Sequence, residues 1–236
     1  MLITLPNAYG DAATNMAVDA SLLESLPRKT AVFRHYGWVE PAMTFGYAQA
    51  LATAQGLAPP DMVLCRRITG GGIVDHRNDW TYALIIESSL RAARIAATEL
   101  YERVHRALAQ AAQDQDVDTQ LAPCPRQCDS PLPPKITGVC FTEPAANDVL
   151  LADGRKLAGA AMKRNRKGLL LQGSVDRSAL PEDFDYTAFQ LEFVANLAAS
   201  LGLEQAQPED LRHLFDGAAI QKERSRFKDP DWTGKR

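Results

Sequence analysis

Hydrophobic residues recur at helical spacing in four segments of the chain. In the stretch GDAATNMAVDASLLESLP, Met16, Ala20 and Leu23 share one face of a helix, and Pro27 follows as a stop. The clearest stripe belongs to a longer segment, in which Leu100 is one of several aligned apolar residues. The predicted helices cover residues 10–27, 90–114, 187–201 and 208–224.

Runs of β-branched and aromatic residues lie between these helices and predict strands. They read TAVFRHYGW, AMTFGYAQ, DMVLCRRIT and WTYALIIE, followed later by NDVLLADGRKLAGAAMKRNRKGLLLQGSV, in which Asp153 and Gly154 are typical of a hairpin turn. The proline-rich stretch APCPRQCDSPLPPK between them predicts a surface loop or an ordered crossover. Because helices and strands alternate irregularly and hairpins are frequent, the pattern favours an α+β fold with a mixed or antiparallel sheet.

Composition narrows the class of protein. The chain has 236 residues, 46% of them hydrophobic, which is enough to bury a core in one large or two small domains. A net charge of −3 argues against a general nucleic-acid binder, and the apolar runs are too short to cross a bilayer. We therefore expect a cytoplasmic protein that binds neither nucleic acid nor membrane. Its cysteines are expected to be reduced: Cys65, Cys124, Cys128 and Cys140.

Candidate chemistry appears in RRITGGGIVDH. Gly70, Gly71 and Gly72 admit a ligand close to the backbone, and their amide groups could form an anion nest. Arg66 and Arg67 add charged forks suited to phosphate or carboxylate. Since adjacent strand positions point to opposite faces, we expect only one of the two to reach a ligand. The alternative is a glycine bulge with two surface arginines.

A second candidate lies in NDVLLADGRKLAGAAMKR. Lys156 precedes small residues and could neutralise an acyl phosphate or polarise a carbonyl group; alternatively, it is an exposed strand lysine. In a hairpin turning at Asp153-Gly154, Asp148 comes roughly opposite Lys156. A carboxylate near a phosphate-binding lysine could be a magnesium ligand, or it could simply be a turn residue.

Both stretches resemble signatures of one family. RRITGGGIVDH followed by DWTYALII is similar to the glycine-rich signature of the lipoate–protein ligase and octanoyltransferase family, and NDVLLADGRKLAGAA resembles its lysine-bearing signature. NMAVDASLL and KERSRFKDPDW are similar to the opening helix and closing segment of that family. The resemblance implies the class II synthetase-like catalytic fold that biotin–protein ligases share. It also implies a single catalytic domain over residues 1–236, without a separate C-terminal accessory domain.

The resemblance assigns roles to the matching residues. Lys156 would contact the activated acyl carbonyl, and His76 would line the acyl pocket. Asn147 and Asp148 match the Asn-Asp pair near the nucleotide and its magnesium ion in ligases. The acyl chain, the adenylate phosphate and the nucleotide would be contacted by Arg66 or Arg67, Gly70, Gly71, Gly72, Gly159 and Ala160. The family more often has an aromatic residue in place of Asp75, so acyl-chain preference stays open.

The family uses two mechanisms. A ligase spends ATP, with Mg²⁺, to convert lipoate or octanoate to an acyl-adenylate, whereas an octanoyltransferase moves the acyl group from an acyl carrier protein onto its own cysteine. Both deliver it to a lysine of a lipoyl acceptor domain, as in 2-oxoacid dehydrogenase E2 subunits or the glycine cleavage H protein. Gly72 and the Asn147-Asp148 pair favour the ligase, which is our expectation. Cys140, sixteen residues before Lys156, matches the catalytic cysteine of one octanoyltransferase branch and makes transfer the alternative; a non-catalytic lipoate-binding protein is the second alternative.

Two further features have open interpretations. Cys124 and Cys128 suggest a metal or redox site, but their spacing is one residue longer than the usual zinc pattern and a second pair is absent from the sequence. KRNRKG, at residues 163–168, is either a solvated hairpin tip or a basic surface that steers acidic acceptor domains.

Overall fold

A computed structural model describes residues 1–123 and 144–235 of the chain. Its helices are α1 (Ala12–Ser25), α2 (Leu51–Leu57), α3 (Ala97–Gln113), α4 (Tyr186–Leu201), α5 (Gly217–Lys228) and α6 (Pro230–Thr233). Its strands are β1 (Leu2–Thr4), β2 (Ala8–Gly10), β3 (Ala31–Trp38), β4 (Ala42–Phe45), β5 (Val63–Arg66), β6 (Ile73–Asp75), β7 (Asp79–Glu87), β8 (Thr119–Leu121), β9 (Val149–Leu151), β10 (Lys156–Arg164), β11 (Gly168–Asp176) and β12 (Gln205–Ala206).

The described strands form two sheets. The large sheet has the order β12-β1-β3-β7-β11-β10-β9-β8, with β2 paired to β3, and the small sheet has the order β5-β4-β6. Neighbours from β3 through β8 in the large sheet are antiparallel, whereas β1 pairs parallel with both β3 and β12. The expected α+β fold with a mixed sheet and flanking helices is thereby confirmed.

Helices cover both faces of the large sheet. On one face, α3 and α4 pack their apolar stripes against the sheet, and Leu100, Val104 and Leu108 of the predicted stripe are fully buried. On the other face, α1 buries Met16 and Ala20 against the sheet, as their spacing predicts. The hairpin that joins β10 to β11 turns at residues 165–167.

Two predicted helices have different limits in the structure. The predicted helix at residues 90–114 is broken: a single 3₁₀ turn at Arg91–Arg94 precedes α3. In a continuous helix, Leu90 and Ile95 would lie about 140° apart around the axis. Both pack against the core, which the break in the helix allows. The last predicted helix, at residues 208–224, begins later, because Asp216 caps the amide groups of Ala218 and Ala219 at the start of α5.

The two sheets position the candidate site between them. The segment from residue 67 to residue 72 connects β5 to β6 of the small sheet and carries the glycines. It faces β10 and β11 of the large sheet, since Gly71 and Ala161 line a common cavity. Within the described residues, the helices are too short or too polar to cross a membrane.

Candidate active site

A cavity lies between the large and small sheets. Small residues of β10, Gly159, Ala160 and Ala161, form one part of its wall, and Met16 and Val74 add apolar surface. Arg67, Thr44, His76, Gln172 and Ser174 are among its polar lining residues.

Arg67 fixes the glycine loop that forms the cavity wall. Its buried guanidinium group donates to the carbonyl oxygens of Gly70 and Gly72 at 3.0 and 2.9 Å. Gly71 has φ of +85°, a conformation that favours glycine, and a Cβ atom there would lie 3.0 Å from the Cβ of Ala161. The loop therefore requires glycine at position 71, both for its backbone and for its close approach to β10.

Arg66 points away from the cavity. It is fully buried, and its guanidinium group donates to the carbonyl oxygens of Tyr47 and Gln49 at 2.8 and 2.7 Å. It also donates to the carbonyl oxygens of Trp232 and Thr233 near the C-terminus, at 3.2 and 2.9 Å. Of the two arginines proposed to reach a ligand, the structure places only Arg67 at the cavity, and Arg66 instead joins the small sheet to the C-terminal segment.

Lys156 and Asp148 form a buried ion pair. The Nζ atom of Lys156 lies 2.7 Å from Oδ2 of Asp148, and both side chains are about one-twentieth exposed. The pair lies against Gly159, because a Cβ atom there would come within 2.7 Å of both Nζ and Cε of Lys156. Lys156 is thus held directly beside the cavity wall, next to Gly159, although it is not itself among the lining residues.

Asn147 has a structural task in the fold. Its φ is +67°, its carbonyl oxygen lies 2.5 Å from Nδ1 of His105, and its side-chain amide donates to the carbonyl oxygen of Thr98 at 3.2 Å. Oδ2 of Asp148 accepts from the amide of Ala145 at 2.6 Å in addition to binding Lys156. Among the described residues, no group of three His, Cys, Asp or Glu side chains is placed to hold a metal ion. The magnesium role expected of Asn147 and Asp148 stays a prediction.

His76 lines the cavity within a network that the motifs did not reveal. Its Nδ1 lies 2.8 Å from Oδ2 of Asp79, and its Nε2 lies 2.7 Å from Oγ1 of Thr44. The indole ring of Trp38 stacks on the imidazole with 3.9 Å between centroids. The only sequence signal for Asp79 is a carboxylate three residues after His76, and Thr44 carries none, because it comes from a separate strand of the small sheet.

A second hydrogen-bond network, centred on Asp19, occupies the polar atoms of Gln172 and Tyr36 in the cavity wall. Gln172 donates to Oδ2 of Asp19 at 2.7 Å, and its carbonyl oxygen accepts from Thr69 at 2.7 Å. Tyr36 also donates to Asp19, which forms an ion pair with Arg34 at 2.7 Å. Burial raises the pKa of Asp19, and Arg34 and these hydrogen bonds oppose that shift. Since the polar atoms of Gln172 and Tyr36 are satisfied by Asp19 and Thr69, this part of the wall suits an apolar ligand.

The cysteines differ in what the structure describes. Cys65 is buried, and burial raises the pKa of its thiol to about 12, with the charge of Arg67 only partly opposing the shift. A thiol in that environment is a poor nucleophile near neutral pH. Cys124, Cys128 and Cys140 lie outside the described residues, as does most of the proline-rich stretch.

The fold defines the class of protein to which the chain is similar. It matches the structure of a lipoate-protein ligase A bound with ATP with a TM-score of 0.73 and 14% identity, covering 98% of this chain and 97% of that one. A bipartite lipoate protein ligase from Thermoplasma acidophilum gives a TM-score of 0.69 at 14% identity, over 98% of this chain and 95% of its own.

Sequence similarity then identifies the family. The profile described as the lipoyl protein ligase A/B catalytic domain matches residues 11–207, and the chain belongs to this enzyme family. Among curated relatives, octanoyltransferase LipM of Oceanobacillus iheyensis is 30% identical over 229 residues, covering 89% of this chain and 81% of the relative. Octanoyltransferase LipM of Bacillus subtilis is 29% identical over 169 residues, covering 69% of this chain and 60% of its own length.

These relatives correct the expectation of an ATP-dependent ligase. That expectation was wrong, because the curated relatives are octanoyltransferases. The residues that favoured a ligase have tasks in the fold itself: the carbonyl oxygen of Gly72 accepts from Arg67 and from the amide of Gly46, and Asn147 joins α3 to the start of β9. These backbone contacts do not involve a nucleotide, so Gly72 and Asn147 do not distinguish a ligase from an octanoyltransferase.

Proposed function

We propose that this protein is an octanoyltransferase that takes an octanoyl group from an acyl carrier protein and transfers it to a lysine of a lipoyl acceptor domain. The observation that carries the proposal is the similarity to the octanoyltransferases LipM. The family resemblance makes Cys140 the candidate nucleophile. A thioester donor is already activated, so this reaction requires neither ATP nor Mg²⁺.

Two acyl transfers make up the reaction. In the first, the thiolate of Cys140 attacks the carbonyl carbon of the donor thioester, the bond to the carrier sulfur breaks, and the carrier thiol leaves with the proton given up by Cys140. In the second, the amine of the acceptor lysine attacks the thioester on Cys140, an amide bond forms, and the thiolate of Cys140 leaves and takes up the proton released by the amine. Each step passes through a negatively charged carbonyl oxygen.

Lys156 is the candidate that stabilises this charge. Its ammonium group is buried directly against Gly159, which lines the cavity. The carboxylate of Asp148, 2.7 Å away, pairs with the ammonium group and holds it in place. A fixed cation in a site with little water stabilises developing charge more strongly than one in solution.

The cavity suits the acyl chain. Its wall includes Met16, Val74 and small residues of β10, and the polar atoms of Gln172 are satisfied by groups outside it. Each buried methylene group contributes about 0.8 kcal/mol to binding. An unbranched chain would therefore gain affinity along its length without leaving buried polar groups unpaired.

The acceptor is proposed from the family and from one structural neighbour. The Thermoplasma structure is described as a lipoate protein ligase and its E2 lipoyl domain. For this chain we propose the same class of acceptor, a lipoyl domain of an E2 subunit or the glycine cleavage H protein, with the acyl carrier protein as donor partner.

The proposal is tested by giving the enzyme alternative donors. Purified protein is incubated with a lipoyl domain and either octanoyl carrier protein or octanoate with ATP and Mg²⁺, and the mass of the acceptor is followed. We expect the octanoyl mass increase with the carrier-protein donor alone, and an acceptor with its lysine changed to arginine is the control. Modification that depends on ATP would contradict the proposal.

A further inference from the structure

Three donors converge on one oxygen of Asp79, whose side chain is fully buried. Oδ2 lies 2.8 Å from Nδ1 of His76, accepts from the hydroxyl of Thr81 at 2.8 Å, and accepts from the hydroxyl of Ser174. Thr81 in turn accepts from the indole N–H of Trp38 at 2.9 Å. Oδ1 of Asp79 has no hydrogen-bond partner among the described residues, so the carboxylate acts through Oδ2 alone.

The direction of the hydrogen bonds determines the tautomer of His76. Arg67 can only donate, so at 2.7 Å it occupies a lone pair of the Thr44 oxygen. That oxygen keeps its proton and a second lone pair for Nε2 of His76, 2.7 Å away. On the other side of the ring, Oδ2 of Asp79 can only accept, so Nδ1 carries the ring proton and, in the neutral ring, Nε2 accepts from Thr44.

This chain of hydrogen bonds continues to the glycine loop. The guanidinium group that donates to Thr44 also holds the carbonyl oxygens of Gly70 and Gly72. Three side chains in series, His76, Thr44 and Arg67, thus connect a buried carboxylate of β7 to the opposite wall of the cavity. All of these side chains are at least nine-tenths buried, so the links are protected from competing water.

We propose that Asp79 is a positioning residue for acyl transfer: it holds His76 in the Nδ1–H tautomer and, through Thr44 and Arg67, holds the glycine loop closed against the acyl chain. The kinetic part of this proposal rests on the proposed function, whereas the tautomer does not. Asp79 acts on binding of the acyl donor, so its loss raises KM more than it lowers kcat.

The tautomer is measured directly by long-range ¹H–¹⁵N NMR of the imidazole nitrogens. The chain has four histidines, His35, His76, His105 and His213, so His76 is assigned by the signals that disappear in His76→Gln. We expect the wild-type ring to be protonated on Nδ1 at neutral pH. A ring protonated on Nε2 would overturn the proposal, whether or not the protein transfers octanoate.

Two substitutions of Asp79 separate positioning from packing. Asp79→Leu removes the acceptor, and we expect mixed tautomers and a KM for octanoyl carrier protein about tenfold higher, as for one lost positioning hydrogen bond, with kcat changed less. Asp79→Asn retains an oxygen acceptor at the position of Oδ2, so it should restore both the tautomer and the KM.

Thr44→Val provides a second route if Asp79→Leu fails to fold. It cuts the link between His76 and Arg67 and should raise KM similarly while the Nδ1 proton of His76 remains. An unchanged KM in a folded Asp79→Leu or Thr44→Val would overturn the positioning role. Absence of transfer by the wild type from every octanoyl donor would contradict the proposed function but leave the tautomer result intact.

Discussion

At the scale of single residues, the site depends on a buried cation held by a buried anion. Lys156 and Asp148 are both excluded from water, and such a pair is costly to break because removal of one partner leaves the other charged and unpaired. A simple alanine substitution would therefore mix a catalytic effect with a stability effect. The two effects can be separated, because the pair can be replaced as a unit.

Lys156→Met should lower the free energy of unfolding by about 3–5 kcal/mol and lower transfer by about a hundredfold, since it removes both the ion pair and the electrostatic donor. Lys156→Met combined with Asp148→Asn leaves no unpaired charge from this ion pair and should recover most of the stability, but not the transfer. Denaturant unfolding and single-turnover transfer rates are measured on both proteins. A stable double variant with near wild-type transfer would remove Lys156 from the mechanism.

The glycine loop offers a matched pair of substitutions. Gly71→Ala forces a side chain into φ of +85° and against Ala161, whereas a Cβ atom at Gly70 would meet no atom within 4 Å. Gly71→Ala should lower the free energy of unfolding by about 1–3 kcal/mol, because the new side chain strains the backbone. It should also raise the KM for octanoyl carrier protein roughly tenfold, because the loop that forms the cavity wall is displaced. Gly70→Ala should stay close to wild type, and equal effects at the two positions would show that the loop conformation is unimportant.

The sequence predicted the proximity of Lys156 and Asp148 but not the contacts of Asp79 and Thr44 with His76. The hairpin turn at Asp153-Gly154 brings Asp148 beside Lys156, as expected, because both lie close to the same turn. Thr44 escaped notice because its contact with His76 arises only when β4 pairs with β6. Asp79 escaped notice because a carboxylate three residues after a histidine is by itself a weak signal. The magnesium role expected of Asn147 stays a prediction; in the structure, the positive φ of Asn147 and its amide contact with Thr98 support the backbone.

At the scale of elements, Arg66 joins two distant parts of the chain. Its guanidinium group holds the segment after β4 and the carbonyl oxygens of α6, and the indole of Trp232 donates back to the Arg66 carbonyl at 3.0 Å. The sequence predicted its orientation only as one of two alternatives, since strand alternation separates Arg66 from Arg67 without indicating which one faces the ligand. The structure makes Arg66 an anchor and Arg67 part of the cavity wall.

Arg66→Lys and Arg67→Lys should therefore have different effects. A lysine cannot reproduce the fork of Arg66, so the carbonyl oxygens of Tyr47 and Thr233 lose donors and the free energy of unfolding should fall by about 2 kcal/mol or more. The KM of this variant should change little below its unfolding temperature. Arg67→Lys should instead raise KM through the glycine loop. Unfolding curves and steady-state kinetics distinguish them, and a KM effect at Arg66 equal to that at Arg67 would refute the division of roles.

At the scale of the whole molecule, the sequence was sufficient for the fold class and the family. Long amphipathic stripes such as that of α3, and buried strands such as β7, are determined by hydrophobic spacing. Short elements were missed: α2 buries only Ala54, and β6 has three residues, too few for a periodic pattern. The choice between ligase and transferase was wrong because both mechanisms share the same loop and lysine.

The basic hairpin tip provides a prediction about partner docking. Lys163, Arg166 and Lys167 are exposed, whereas Arg164 donates to the carbonyl oxygen of Ile95 and is best left unchanged. If the tip attracts an acidic acceptor domain, changing the three exposed residues to glutamine should lower kcat/KM for the acceptor several-fold at low salt and flatten its dependence on ionic strength. Arg212→Gln, which removes an exposed arginine elsewhere on the surface, is the control. An unchanged salt dependence would show that the tip is only a solvated hairpin end.

The most direct test of the proposed transferase is the mass of the protein after exposure to octanoyl carrier protein without an acceptor. A nucleophilic cysteine must retain the acyl group, so we predict that the wild type gains one octanoyl group, that hydroxylamine removes it, and that peptide mapping assigns it to Cys140. Cys65→Ala, Cys124→Ala and Cys128→Ala should still be acylated, whereas Cys140→Ser should show neither the thioester nor transfer. A Cys140→Ser protein that transfers octanoate at the wild-type rate would contradict the mechanism proposed for this enzyme.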